Sequence, residues 1–84
     1  MNPNTDDLLQ KAIAEDPSVI LPRLRKVLEV SQETVARKTG LAHCTVSAHE
    51  NGHNQPFRIT IKSYVEYFSR KIKEKGVDIS EVLR

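Results

Sequence analysis

The stretch SQETVARKTGLAHCTVSAHENG, residues 31–52, contains the start and end signals of two short helices. Ser31 is a favourable N-cap residue for the first helix. Gly40 closes that helix, because glycine reaches the left-handed conformation of a helix end without steric cost. Gly52 closes the second helix in the same way. These signals predict two helices of about two turns each, joined by a tight turn at residues 39–41.

Two residues inside the stretch meet the packing needs of helices that cross closely. Ala36 is small enough to let a second helix approach the first, and Val46 is the apolar residue that the second helix turns inward. Two short helices with this glycine-containing turn have the spacing of a helix-turn-helix motif. The second helix of such a motif lies in the major groove of DNA.

The same stretch resembles the helix-turn-helix domain of the lambda-repressor/Cro-type (XRE) family. The family pattern is Ser-Gln, an Ala four residues after the Gln, a Gly after the first helix and Glu-x-Gly at the end of the second. The matching residues are Ser31-Gln32, Ala36, Gly40 and Glu50-Asn51-Gly52. The resemblance covers residues 21–83. It implies an all-α, five-helix lambda-repressor-like domain, here with a short extra helix at the N-terminus.

Three positions depart from the family pattern. Thr39 and His49 stand where aliphatic residues are usual, and Ala42 stands where Ser or Thr usually caps the recognition helix. The resemblance also implies an ion pair between Glu50 and an arginine of the first core helix, which in this chain is Arg25.

The sequence before this stretch also predicts helices. Residues 5–15 form a first helix with an acidic first turn, near the positive end of the helix dipole. Asp16 and Pro17 end that helix and begin the next one. Pro22 lies inside the second helix, where it predicts a kink or a restart.

The C-terminal part predicts the clearest amphipathic helix of the chain, residues 61–75. Its apolar side chains recur at helical spacing, at Ile61, Tyr64, Val65, Phe68 and Ile72. Tyr67 falls off this stripe, so we expect it to be exposed in a monomer and covered in a homodimer, with a lone surface tyrosine as the alternative. The expected dimer interface comprises Tyr64, Tyr67, Phe68, Lys71, Ile79 and Leu83.

These elements predict an N-terminal helical extension, residues 1–20, and a helix-turn-helix domain with C-terminal dimerisation helices, residues 21–84. A chain of 84 residues has a modest core, and its single cysteine excludes an internal disulfide. Association of two copies is therefore the expected additional source of stability.

Charge is unevenly distributed along the chain. Residues 23–75 carry eleven Lys or Arg against five Asp or Glu, a net charge of +6, whereas residues 1–22 carry −3 and the last nine residues −1. A basic middle between acidic ends favours a surface that binds a polyanion. A solvated surface with no partner is the alternative.

The resemblance assigns DNA contacts to individual residues. The base-facing positions of the recognition helix map to His43, Cys44, Ser47 and Ala48. His43 can donate to guanine N7 or O6, Ser47 can donate or accept, and the small side chains of Cys44 and Ala48 suit a thymine methyl group. The candidate phosphate contacts are Gln32, Thr45, Asn51, Arg37, Lys38 and Arg58, with the helix dipole assisting at Gln32.

Residues 49–53, HENGH, also match the zinc-protease pattern H-E-x-x-H. That chemistry needs both histidines on one continuous helix and a third ligand. Gly52 ends the helix before His53, so we expect no metal site and interpret His49 as a partly buried core residue. Cys44 could act as a redox sensor at a helix N-terminus, but we interpret it as a small contact at the DNA surface.

The sequence therefore predicts a DNA-binding transcriptional regulator and not an enzyme, because a chain of 84 residues has little room for a substrate cleft. We expect no cofactor and no small-molecule ligand. We expect a repressor that binds a palindromic operator in double-stranded DNA as a homodimer and occludes a promoter. The expected location is the bacterial cytoplasm, at the nucleoid, with no membrane association. The alternative is an antitoxin-like interaction module, in which the acidic first helix, residues 5–15, binds a partner protein.

Overall fold

A computed structural model describes residues 5–83 of the chain. Within this range the structure contains six helices and no strands, so the expected all-α class is confirmed. The helices are α1 (Thr5–Glu15), α2 (Pro17–Leu28), α3 (Gln32–Thr39), α4 (His43–Glu50), α5 (Arg58–Lys75) and α6 (Ile79–Leu83).

The ends of α3 follow the local signals of the sequence. The hydroxyl of Ser31 accepts a hydrogen bond of 3.1 Å from the backbone N–H of Thr34, which satisfies one of the donors left open at a helix start. Gly40 has a φ of 78°, and its N–H donates to the carbonyl of Ala36. A side chain at position 40 would strain this left-handed residue, and the predicted turn is therefore confirmed.

Two helix boundaries differ from the prediction. Helix α2 runs without interruption through Pro22, although a proline inside a helix removes one backbone hydrogen bond. Burial of Leu21 and Leu24 in the same helix stabilises the continuous form. Helix α5 begins at Arg58, three residues before the predicted start, and the carbonyl of Phe57 accepts its first backbone bond from Ile61 at 2.9 Å.

Helix α1 is part of the hydrophobic core. Leu9 and Ile13 are fully buried, α1 packs against α2 and α5, and the hydroxyl of Ser69 on α5 donates to the carboxylate of Asp6. The core is one cluster that includes these residues, so the expected division at residue 20 has no counterpart in the packing. Deletion of residues 1–15 would therefore remove core side chains.

The expectation that Tyr67 is exposed is wrong. Tyr67 is 8% exposed, and Tyr64 and Phe68 are fully buried within the monomer. Helix α5 is covered by α1 and also by α2 and α3, so more than one stripe of its surface is apolar and buried. These three side chains have almost no surface left for a second subunit. Of the expected interface, only Lys71, Ile79 and Leu83 keep partial exposure.

The large exposed apolar side chains of the described residues lie elsewhere. Phe57 is 80% exposed and Ile59 is 76% exposed, both at the start of α5, and Val19 on α2 is 41% exposed. In residues 5–83 no helix is both long enough and apolar enough to cross a membrane.

Replacement of Leu9 by alanine tests the role of α1 in the core. Leu9→Ala is expected to lower the free energy of unfolding by about 2–5 kcal/mol, because it removes buried methyl groups and leaves a cavity. Gln10→Ala changes the adjacent exposed residue and is the matched control. Urea denaturation measures both, and equal stability of the two variants would show that α1 does not contribute to the core.

Candidate nucleic-acid interface

Helix α4 has one side that faces the protein and one that faces outward. Helix α4 packs against α2 and α3, and its buried residues are Val46, His49 and Glu50. The four predicted base-facing residues lie on the other side: His43 and Cys44 are exposed, and Ser47 and Ala48 are half-buried. The structure therefore brings the four residues together on one accessible helical surface, which we call the outer face of α4.

Glu50 anchors the end of α4 to α2. Its carboxylate accepts two hydrogen bonds from Arg25, Nε to Oε2 at 2.6 Å and Nη2 to Oε1 at 2.9 Å. The Glu50 side chain is 4% exposed and that of Arg25 is 25% exposed, so the predicted ion pair is confirmed as half-buried. Hydrogen bonding to Glu50 raises the pKa of Arg25 above its ordinary value. Arg25 also donates to the carbonyl of Val30 at 3.3 Å, and this hydrogen bond holds the residues that follow α2 against the helix.

Gln32 links this ion pair to the outer face of α4. Its side-chain nitrogen donates to Glu50 Oε1 at 3.0 Å, and its side-chain oxygen lies 3.0 Å from Nε2 of His43. A chain of hydrogen-bonded side chains, which we call the relay, thus connects Arg25, Glu50, Gln32 and His43 in that order. The sequence analysis assigned Gln32 only to a phosphate contact and did not predict the relay. The available signal was position, since Gln32 and His43 are the first residues of α3 and α4. The second N–H of the Gln32 amide can still donate to a phosphate.

His49 is a core residue, as the sequence predicted. It is 5% exposed, and its Nδ1 lies 2.7 Å from the hydroxyl of Tyr64, with the two rings edge to face. Burial lowers the pKa of His49, because desolvation disfavours the imidazolium. Burial likewise raises the pKa of Tyr64, and the charge of Glu50 adds to the effect.

Two of the three H-E-x-x-H residues, His49 and Glu50, have side-chain partners within the protein. His49 pairs with Tyr64, Glu50 pairs with Arg25 and Gln32, and His53 is exposed beyond the C-cap of α4. Within residues 5–83 no group of three or more His, Cys, Asp or Glu side chains is placed to hold a metal ion.

The other two departures from the family pattern are Thr39 and Ala42. Thr39 donates its hydroxyl hydrogen to the carbonyl of Val35 at 2.7 Å, so a polar side chain is satisfied inside the turn. Ala42 is the N-cap of α4 and makes no side-chain cap. Helix α4 therefore depends on its packing and on the relay rather than on a capping hydroxyl.

The predicted phosphate contacts are distributed from α3 to the start of α5. Thr45 borders a recess formed with the loop after α4 and the start of α5, and Asn51 donates to the hydroxyl of Ser47 at 3.2 Å. Arg37 and Arg58 are exposed at the end of α3 and the start of α5. Lys38 borders a recess of about 230 Å³ between α3 and α5, which no α4 residue lines.

Comparison of the chain with family models, with curated proteins and with solved structures found no match.

Removal of either partner of the ion pair is expected to destabilise the fold. Glu50→Ala should lower the free energy of unfolding by about 3 kcal/mol, since Arg25 is left partly buried without its carboxylate. Arg25→Ala should cost more, because Glu50 is the more deeply buried charge. Urea denaturation at neutral pH gives both values. A smaller loss for Arg25→Ala than for Glu50→Ala would contradict this ranking.

The lowered pKa of His49 predicts a dependence of stability on pH. The unfolded chain binds a proton at His49 near pH 6.5, whereas the folded protein resists protonation. The contribution of neutral His49 to the free energy of unfolding is therefore complete above pH 6.5. This contribution is lost as pH falls through the lower pKa that His49 has in the folded protein.

His49→Gln should reduce the slope of unfolding free energy between about pH 7 and pH 5, because the variant lacks the titrating group. Urea denaturation at a series of pH values measures the slope. His53→Gln removes an exposed histidine instead and is the matched control. A wild-type slope in His49→Gln would mean that other groups cause the pH dependence.

Proposed function

We propose that the protein is a sequence-specific DNA-binding transcriptional regulator in which α3 and α4 form a helix-turn-helix and α4 is the recognition helix. The observation that carries this proposal is the division of α4 into two faces. Its inner face is fixed by Val46, His49 and Glu50, whereas its outer face presents four small or polar side chains. A helix held in this way can enter the major groove without losing its contacts to the protein.

The distribution of charge supports a nucleic-acid partner. The segment from residue 23 to residue 75, with its net charge of +6, contains both motif helices and α5. Arg37, Arg58 and Lys62 are exposed there and can neutralise phosphates. These contacts would position the protein, while the outer face of α4 would select the sequence.

The proposal includes the architecture and the mode of regulation. We propose a lambda-repressor-like arrangement of the helices, and a repressor that covers a promoter as a homodimer on a palindromic operator. One α4 contacts only a few base pairs, and two-fold symmetry places two such helices about 34 Å apart on the same side of the duplex. This mechanism requires neither catalysis nor a cofactor, and it acts at DNA in the bacterial cytoplasm.

The burial of Tyr64, Tyr67 and Phe68 moves the proposed dimer contact to the start of α5. Phe57 and Ile59 are the most exposed large apolar side chains among residues 5–83, and they are separated by only one residue. Phe57 borders a recess with Thr45 of α4, and Ile59 borders another with Gln10 of α1. We propose that a second chain covers both side chains, since large exposed apolar surface is typical of an interaction site.

Selection from random duplexes tests the DNA-binding proposal. A single palindromic sequence is expected, and His43→Ala should weaken binding to it by about 1–3 kcal/mol with almost no effect on a scrambled duplex. His53→Ala, at an exposed histidine beyond α4, is the control. Titrations at one fixed salt concentration are required, since phosphate contacts make affinity salt-dependent. Equal weakening on both duplexes would exclude His43 as a base contact.

Substitution of the exposed apolar pair tests the dimer. The double variant Phe57→Ser, Ile59→Ser should shift the chain from dimer to monomer at micromolar concentration, because the covered apolar area is lost. Val19→Ser removes a different exposed apolar side chain and should leave the dimer intact. Sedimentation equilibrium measures the masses. An unchanged mass in the double variant would place the dimer contact elsewhere.

A further inference from the structure

We propose that Gln32 fixes the proton of neutral His43 on Nε2, so that Nδ1 is offered to DNA as a hydrogen-bond acceptor and selects a base with an exocyclic amine. The inference deepens the proposed function and rests on it, because it concerns what the outer face of α4 selects. Gln32 is here a positioning residue, and His43 is the residue that determines specificity.

The orientation of the Gln32 amide follows from its contact with Glu50. The Glu50 carboxylate is in a two-bond ion pair with Arg25, so its oxygens only accept hydrogen bonds. The atom of Gln32 that lies 3.0 Å from Glu50 Oε1 must then be the amide nitrogen. The reversed amide would place two acceptor oxygens in contact in a half-buried site and would lose a hydrogen bond to a charged group.

The amide orientation in turn determines where His43 carries its hydrogen. The oxygen of Gln32 is left facing Nε2 of His43 at 3.0 Å, and an amide oxygen only accepts. Nε2 must therefore be the N–H of the ring. A neutral imidazole carries one N–H, so its Nδ1 is a bare acceptor. His43 is exposed and has no second hydrogen bond within residues 5–83, which leaves Nδ1 available to a ligand.

This assignment changes the base preference expected from the sequence. Donation from His43 to guanine N7 or O6 would need a second N–H, because the one on Nε2 is already used by Gln32. In the major groove the donors are the N6 amine of adenine and the N4 amine of cytosine, whereas guanine O6 and thymine O4 are acceptors. Neutral His43 therefore favours adenine or cytosine at its position and opposes guanine or thymine.

Nitrogen-15 NMR of the free protein tests the first half of the proposal without DNA. At about pH 8, above the ordinary titration range of histidine, the ring of His43 should show a protonated Nε2 and a bare Nδ1. Gln32→Met has a side chain of similar length that cannot accept the hydrogen bond, and it should give a mixture of both tautomers. Glu33→Met, at the adjacent exposed position of α3, is the control and should keep the single tautomer. A wild-type ring protonated on Nδ1 would overturn the proposal.

Modified duplexes test the second half. The position contacted by His43 is the one whose base preference His43→Ala abolishes, and the selected base there should be adenine or cytosine. Replacement of that base by an analogue without the exocyclic amine should weaken wild-type binding about tenfold. The same analogue should cost His43→Ala almost nothing. For an adenine, the 7-deaza analogue keeps the amine and loses only the N7 acceptor, so wild-type binding should be retained.

The outcomes separate this inference from the proposed function. Selection of guanine or thymine at that position, or sensitivity to loss of N7 rather than of the amine, would overturn the inference and leave DNA binding intact. Failure to select any duplex would overturn the proposed function, and the base preference with it. The NMR experiment decides the tautomer of His43 in either case.

Discussion

The ion pair between Arg25 and Glu50 is the constraint on which the arrangement of α2, α3 and α4 depends. Arg25 lies on α2 and Glu50 on α4, and the Glu50 carboxylate also accepts a hydrogen bond from Gln32 on α3. One carboxylate thus joins three helices through charge-assisted bonds, which are stronger and more directional than bonds between neutral groups. Removal of either partner is costly, because it leaves the other as an unpaired charge that is partly buried (Arg25) or almost fully buried (Glu50).

The eight-residue length of α4 explains why such an anchor is needed. A helix of two turns is unstable in isolation, and α4 begins at Ala42 without a side-chain cap. Its stability comes from the inner face, where Val46 packs, His49 pairs with Tyr64 and Glu50 pairs with Arg25. The outer face makes none of these contacts directly, and only His43 is connected to Glu50, through Gln32. The fold therefore constrains the side chains of the outer face less than those of the inner face.

The sequence predicts helix α5 from its apolar spacing but does not predict how many of its sides are buried. One apolar stripe at helical spacing indicates a helix with one covered side, and on that basis Tyr67 lies outside the core. In the structure α5 is covered by α1 and α3 as well as by α2, so Tyr67 is buried together with Phe68. Helical spacing gives the period of a helix but not the number of neighbours that surround it.

The sequence by itself determined the helix ends at Ser31 and Gly40, because capping depends on a few adjacent residues. The pairing of Glu50 with Arg25 was also expected, but only through a resemblance to a family pattern. The tertiary structure alone decided that α1 belongs to the core and that Gln32 bridges Glu50 and His43. These features depend on which helices meet in space, and the segment between Gln32 and Glu50, two residues 18 positions apart in the sequence, carries no local signal of that contact.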